Sequence, residues 1–169
     1  LANPTDTRIF AIAAALEQGY SVERIHQLTH IDKWFLCQLE NIEKCYRQIE
    51  ACSGLQEVSA SLLRKAKKLG FSDIQIARIF SISEKQVRDY RLGLGIRPHI
   101  KQIDTLAAEF PSCTNYLYLT YNGVSDDIVP SEGDRTVIVL GSGAYRIGSS
   151  VEFDWCSVGA VKTLQQRGY

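Results

Sequence analysis

Residues 32–50 read DKWFLCQLENIEKCYRQIE, and this stretch decides the fold of the first half of the chain. Phe35, Leu36, Leu39, Ile42, Tyr46 and Ile49 recur at intervals of three and four, the period of a helix with one apolar stripe. Asp32 stands just before the periodic residues, where its carboxylate can accept from the first free backbone N–H groups. Ser53-Gly54 ends the pattern. A long amphipathic helix is therefore expected here, with its stripe turned toward other helices.

Working outward, the neighbouring segments repeat the theme. Upstream, Thr5 is the expected N-cap of a helix carrying Ile9, Phe10, Ile12, Ala13 and Leu16, stopped by Gly19. Ser21 opens a short helix with Val22, Ile25 and Leu28 on one face. Downstream, Leu62, Leu63, Ala66 and Leu69 precede Gly70, the residue type favoured just past a helix end. Ser72 and Ser83 each precede another short helix, the second ending at Gly93 and Gly95 before Pro98.

Beyond residue 98 the pattern changes. Asp104 to Phe110 reads as one more short helix ended by Pro111. Asn115 to Tyr121 (NYLYLTY) alternates in the manner of a strand. Thr136 to Leu140 (TVIVL) is β-branched and apolar throughout, which suits a strand buried on both faces of a parallel sheet. A glycine-bearing turn and a helix with Val151, Phe153, Val158, Val161 and Leu164 follow. One βα unit cannot make a sheet alone, so its partner strands are expected from residues not in this sequence. The expected class is mainly α, closed by the first βα unit of an incomplete Rossmann-like α/β domain.

The totals agree with a soluble globular protein: 45% hydrophobic and 22% charged residues in 169. No apolar run approaches the roughly 18 residues of a membrane helix, so no membrane partner is expected. Leu at position 1 and the absence of Met lead us to expect a segment of a longer chain. Cys37, Cys45, Cys52, Cys113 and Cys156 show no metal-ligand spacing. The first three fall near one face of a single helix, as reduced apolar side chains in a cytoplasmic protein. The formal charge is zero but uneven. Residues 62–101 hold ten Lys/Arg against three Asp/Glu, between flanks that are both acidic.

Three constellations could carry function. Within the basic middle, Ile74 to Arg91 has the build of a helix-turn-helix: Ala77 is the small residue, Ile82 packs in the turn and Val87 points inward. A DNA-binding module centred on 72–92 is thus one reading. Against it, Ser81 occupies a position where glycine is common, and Glu84 and Asp89 would repel phosphates from the presumed recognition helix. Helix packing explains the same pattern, and argues against nucleic acid as a partner. The second constellation is Gly141-Ser-Gly-Ala-Tyr-Arg-Ile-Gly148 between strand and helix. It could receive an anion at the helix start, but its spacing is not G-x-G-x-x-G, and a close-packing turn explains it equally well. The third is Glu152-Phe-Asp154, where acidic residues meet a helix N-terminus. Arg146 and Glu152 are near enough in sequence to pair or to face one polar cavity. No hydrolytic triad is present, and no metal site.

Several of these stretches together resemble one family. Ile31-Asp-Lys-Trp-Phe-Leu36, Gly70-Phe-Ser-Asp73, Lys101-Gln-Ile-Asp-Thr105, Thr114-Asn-Tyr-Leu-Tyr118 and Leu140-Gly-Ser-Gly143 are similar to carbamoyl-phosphate synthetase large (synthetase) components. So is Arg146-Ile-Gly-Ser-Ser-Val-Glu-Phe-Asp-Trp155, the most specific of them. The resemblance covers essentially the whole chain and is closest to the eukaryotic type. Arg146, where His is expected in the mitochondrial urea-cycle form, favours the cytosolic pyrimidine-pathway multifunctional type.

The resemblance implies an ATP-dependent carbon–nitrogen ligase. Its parent makes carbamoyl phosphate from bicarbonate, glutamine-derived ammonia and two ATP, using Mg2+ and K+, under allosteric control. It further implies a helical oligomerisation domain over residues 1–115 and the start of the second-half pre-ATP-grasp domain over 116–169. Partners would be other domains of the same synthetase, a glutaminase domain, and further copies in a homo-oligomer. Arg146 and Glu152 would line the internal carbamate passage, with Gly141, Gly143 and Gly148 shaping the loop. The ATP-grasp domain is missing from this sequence, so no catalytic residue and no bound cofactor is expected in the fragment.

Overall fold

The computed structural model describes residues 1–111, 116–128, 135–141 and 152–169, with only the backbone of 152–154. It is mainly helical, as expected, and forms two compact units, Leu1–Asp127 and Ile128–Tyr169. That division falls twelve residues beyond the 115/116 junction expected from the sequence.

In the first unit, α1 (Arg8–Glu17), α2 (Val22–Thr29) and α3 (Lys33–Glu50) are followed by a short 3-10 turn (Leu55–Glu57) and by α4 (Ala60–Lys68), α5 (Asp73–Ile79) and α6 (Glu84–Gly93). The caps follow the residue chemistry. Ser21 accepts from Arg24 N at 3.2 Å and Asp32 from Trp34 N at 2.8 Å. Ser72 and Ser83 each form a reciprocal capping box, with Gln75 and Gln86 returning a side-chain oxygen to the cap N–H at 2.8 and 2.9 Å. Thr5 does not cap α1: the helix starts at Arg8 behind Thr7, without a side-chain cap.

Two apolar clusters hold this unit, and α3 runs through both. Leu36 joins Ile12, Ala15, Leu16, Val22 and Ile25 in the smaller cluster. Cys45 and Ile49 join the larger one, built on Val58, Leu63, Ile76, Val87 and Ile96. The α3 stripe is narrower than its periodicity suggested. Phe35 and Ile42 are 58% and 39% exposed, and Phe35 packs edge-to-face against Trp34 at 4.9 Å.

The turn between α5 and α6 explains why this pair packs tightly. Ile82 N donates to Ala77 O and Ser81 N to Arg78 O, the two bonds of a Schellman motif. Such a motif requires a left-handed residue after the C-cap, and Ser81 takes it with φ +53°. At the equivalent positions after α1, α4 and α6 the chain uses Gly19, Gly70 and Gly95. A side chain in this region costs about 1–2 kcal/mol, partly offset by the extra freedom a glycine gives the unfolded chain. Ser81→Gly should therefore raise stability by about 0.5–1 kcal/mol, while Ser81→Ala should not. A melting temperature unchanged by the glycine would show that the strained turn is not populated in solution.

After α6 the chain forms a hairpin that the sequence only half discloses. β2 (Leu117–Thr120) lies within the expected NYLYLTY strand, but it pairs antiparallel with β1 (His99–Gln102), with Ile100 opposite Leu119. The outer edge of β1 is closed by the returning chain. Ile100 N donates to Asp126 Oδ1 at 2.7 Å, Gln102 N to Asp127 Oδ2 at 2.9 Å, and Asp127 N to Ile100 O at 2.9 Å. Lys101 pairs with Asp127, and this hydrogen bond, with that of Gln102 N, holds the Asp127 carboxyl below its ordinary range.

The helix expected at Asp104–Phe110 is absent. Asp104 instead accepts from Leu106 N at 2.8 Å and Ala108 N at 2.6 Å, and Ala107 and Ala108 turn left-handed at φ +51° and +59°. An aspartate side chain that satisfies nearby N–H groups competes directly with the helix ladder. Pro111 further disfavours helical backbone at Phe110.

In the second unit, α7 (Glu152–Gln166) is the expected last helix. Thr136–Leu140 forms no ladder among the described residues. Ile138 and Leu140 stay open, 82% and 87% exposed. A parallel strand is held only by neighbouring strands, and the described residues supply none for it.

Candidate functional site

The expected passage loop lies largely outside the described residues, Gly143, Arg146 and Gly148 among them. Glu152 begins α7, and only its backbone is described. Gly141 is described: a Cβ there would meet Ser157 Oγ at 3.8 Å, an ordinary contact. Beside it, Val137 and Val139 wall a cavity of about 330 Å3 together with Val161, Leu164 and Tyr169. The segment before the loop thus lies against α7 through apolar side chains, the relation a βα unit requires.

A buried charge cluster in the first unit is absent from the expectations above. Lys67, Asp73 and Arg91 are each less than a tenth exposed. Lys67 Nζ donates to Asp73 Oδ1 at 2.9 Å and to Phe71 O at 2.6 Å. Arg91 Nε donates to Asp73 Oδ2 at 2.8 Å and Arg91 Nη1 to Ile96 O at 3.2 Å. The Tyr121 ring lies over both cations, 5.2 Å from Lys67 Nζ and 5.8 Å from the Arg91 guanidinium carbon. Burial pushes the Tyr121 phenol up; Arg91 opposes that rise and Asp73 adds to it. A signal was present in the sequence. Arg91 stands one turn after inward Val87, and Lys67 one turn after buried Leu63, so each charge sits on an apolar face.

This cluster also recasts the basic middle. Of its ten cations, Lys67 and Arg91 share Asp73, Lys85 pairs with Asp89 at 2.5 Å, and Lys101 pairs with Asp127. Four of the ten are therefore already engaged within the chain, by three carboxylates between them. Ala77, Ile82 and Val87 take the inward positions expected of them. The outer face of α6 carries Glu84 and Asp89 with Lys85 and Arg88, all exposed. A duplex-binding helix instead needs cations free to meet phosphates, so the arrangement favours helix packing.

Among the described residues no group of three or more His, Cys, Asp or Glu side chains could hold a metal ion. Cys37, Cys45, Cys52 and Cys156 are free thiols. Cys45 is buried, and that burial pushes its thiol up, with Lys65 opposing. Cys52 lies just past the end of α3, not within it. No described helix is long and apolar enough to cross a membrane.

Comparison with known proteins finds two family matches. Residues 1–95 match the family described as "Carbamoyl-phosphate synthetase large chain, oligomerisation domain". Residues 133–169 match "Carbamoyl phosphate synthase preATP-grasp domain". The chain is 55% identical over 168 residues to "Multifunctional protein ura1" of Schizosaccharomyces pombe, covering 99% of this chain and 7% of that protein. It is 53% identical over 166 residues to "Multifunctional protein URA2" of Saccharomyces cerevisiae, covering 98% and 7%. It is 52% identical over 169 residues to "Carbamoyl phosphate synthase arginine-specific large chain, mitochondrial" of Neurospora crassa, covering 99% and 14%. The chain spans only a small part of the length of each of these relatives.

Proposed function

The chain belongs to the carbamoyl-phosphate synthetase large-chain family, and on that premise we propose that it is the oligomerisation and connecting segment of a glutamine-dependent carbamoyl-phosphate synthetase. Its parent forms carbamoyl phosphate from bicarbonate, glutamine-derived ammonia and two ATP in pyrimidine synthesis, in the cytoplasm. ATP, Mg2+ and K+ are bound by other domains of that parent, and this segment alone is inactive. Its partners are those domains, a glutaminase domain and further copies of itself. The observation that carries the reading is the order of the two family matches on one chain. Residues 1–95 fall on the helical unit and residues 133–169 on the unit holding α7.

The C-terminal loop of this segment lines the carbamate passage, with Arg146 and Glu152 in its wall and Gly141, Gly143 and Gly148 shaping its turn. A guanidinium can hold an anion in transit, and a carboxylate can orient that guanidinium. Carbamate decomposes in bulk water, so a leaking wall wastes it. In the full-length parent, Arg146→Ala or Glu152→Ala should leave bicarbonate-dependent ATP hydrolysis intact while carbamoyl phosphate formed per ATP falls. If the two residues only stabilise the start of α7, worth about 1 kcal/mol, both activities fall together with the melting temperature. Unchanged stoichiometry in both variants would refute the passage role.

A further inference from the structure

Residues 96–132 lie outside both family matches, yet those of them that the structure describes include a paired ribbon. Residues 99–102 and 117–120 form the hairpin, and the chain then turns back along β1 as far as Asp127. This ribbon needs a fixed attachment to the helical body if it is to hold one position. Ile96, at its root, is buried in the larger cluster. Beyond Ile96, Tyr121 is the one apolar side chain that packs on that cluster among the described residues. It does so with its ring over Lys67 and Arg91.

The charge count beneath the ring gives that contact its strength. Two cations share one carboxylate in the Lys67–Asp73–Arg91 cluster, so one positive charge is left without a counter-ion in a buried place. Backbone carbonyls of Phe71 and Ile96 take part of it. The negative face of an aromatic ring supplies more, and it is most effective when the cations are desolvated. An aliphatic side chain of similar size would fill the space without meeting that charge.

We propose that Tyr121 is the positioning residue that locks the 99–127 ribbon to the helical unit, and that it acts through the face of its ring on the buried surplus of positive charge. The ribbon is thereby held in one register as the chain leaves the first unit.

The test uses the complete 169-residue chain with Tyr121→Phe and Tyr121→Leu, read by amide hydrogen exchange. The reporters are Ile103 N, which donates to Tyr116 O, and Asp127 N, which donates to Ile100 O. Tyr121→Leu should speed exchange at both by about tenfold, the loss of a desolvated cation–π contact. Tyr121→Phe should stay within about twofold of wild type, since the ring face is kept. Leu63 and Ile76 amides, in the helical core, should change far less. Wild-type exchange in the leucine variant would overturn the proposal. So would equal acceleration by Phe and Leu, which would assign the role to the hydroxyl. Equal acceleration at Leu63 and Ile76 would overturn it too, by reducing Tyr121 to a contributor to general core stability.

Discussion

Asp73→Ala should cost the first unit about 3–5 kcal/mol of unfolding free energy, the scale measured when one partner is removed from a buried ion pair. The reason is the charge left behind. Lys67 and Arg91 are both buried around the Asp73 carboxylate, and without it two desolvated cations face each other. The loss is a large fraction of the roughly 5–15 kcal/mol that holds a typical domain folded, so the variant should melt at a much lower temperature. A second variant separates charge from packing. Lys67→Met, Asp73→Leu and Arg91→Met made together remove all three charges at similar volume, which is often neutral or stabilising. Urea unfolding followed by circular dichroism measures both. A cost below about 1 kcal/mol for Asp73→Ala, typical of exposed pairs, would mean the cluster is hydrated in solution.

Shortening either of the two buried anchors of α3 should be nearly as severe, but in different places. Leu36 and Ile49 are both fully buried, one in each apolar cluster. Replacement by Ala should cost about 2–5 kcal/mol at each site, from lost burial plus the cavity left behind. About thirteen residues of helix separate the two positions by about 20 Å, so the double variant should be additive to within about 0.5 kcal/mol. Hydrogen exchange should locate each effect: Leu36→Ala loosens α1 and α2, and Ile49→Ala loosens α4 to α6. If Leu36→Ala opens α6 as much as α1, the two clusters are one cooperative core.

The helical part was legible because its signals are local. Serine or aspartate before an apolar period, and glycine after it, satisfy backbone groups within one turn. Ser21, Asp32, Ser72 and Ser83 accordingly cap the helices expected of them. Ala77, Ile82 and Val87 disclosed the α5–α6 packing for the same reason. What was not legible depends on distant partners. His99–Gln102 carries little strand character, and becomes a strand because residues 117–120 and two aspartates dress its edges. Asp104 read as the start of a helix because composition cannot tell a cap from a side chain that closes its own turn. The TVIVL run has strand chemistry without a described neighbour to pair with. The charge cluster needed three helices brought together before Lys67 and Arg91 could be seen to share Asp73. For the passage loop, the family resemblance remains the ground for naming Arg146 and Glu152.

The carboxylates of Asp126 and Asp127 along β1 have one more effect. A hairpin at the edge of a fold offers two rows of unpaired peptide groups, and each invites another strand to dock. On the β1 side that invitation is withdrawn, because side-chain oxygens already occupy the amides of Ile100 and Gln102. Two negative charges also stand guard there against an incoming backbone carbonyl. Addition of a further strand along β1 is therefore disfavoured, while on β2 the side chains of Tyr118 and Leu119 lie open. The two edges of this small sheet are thus chemically unequal.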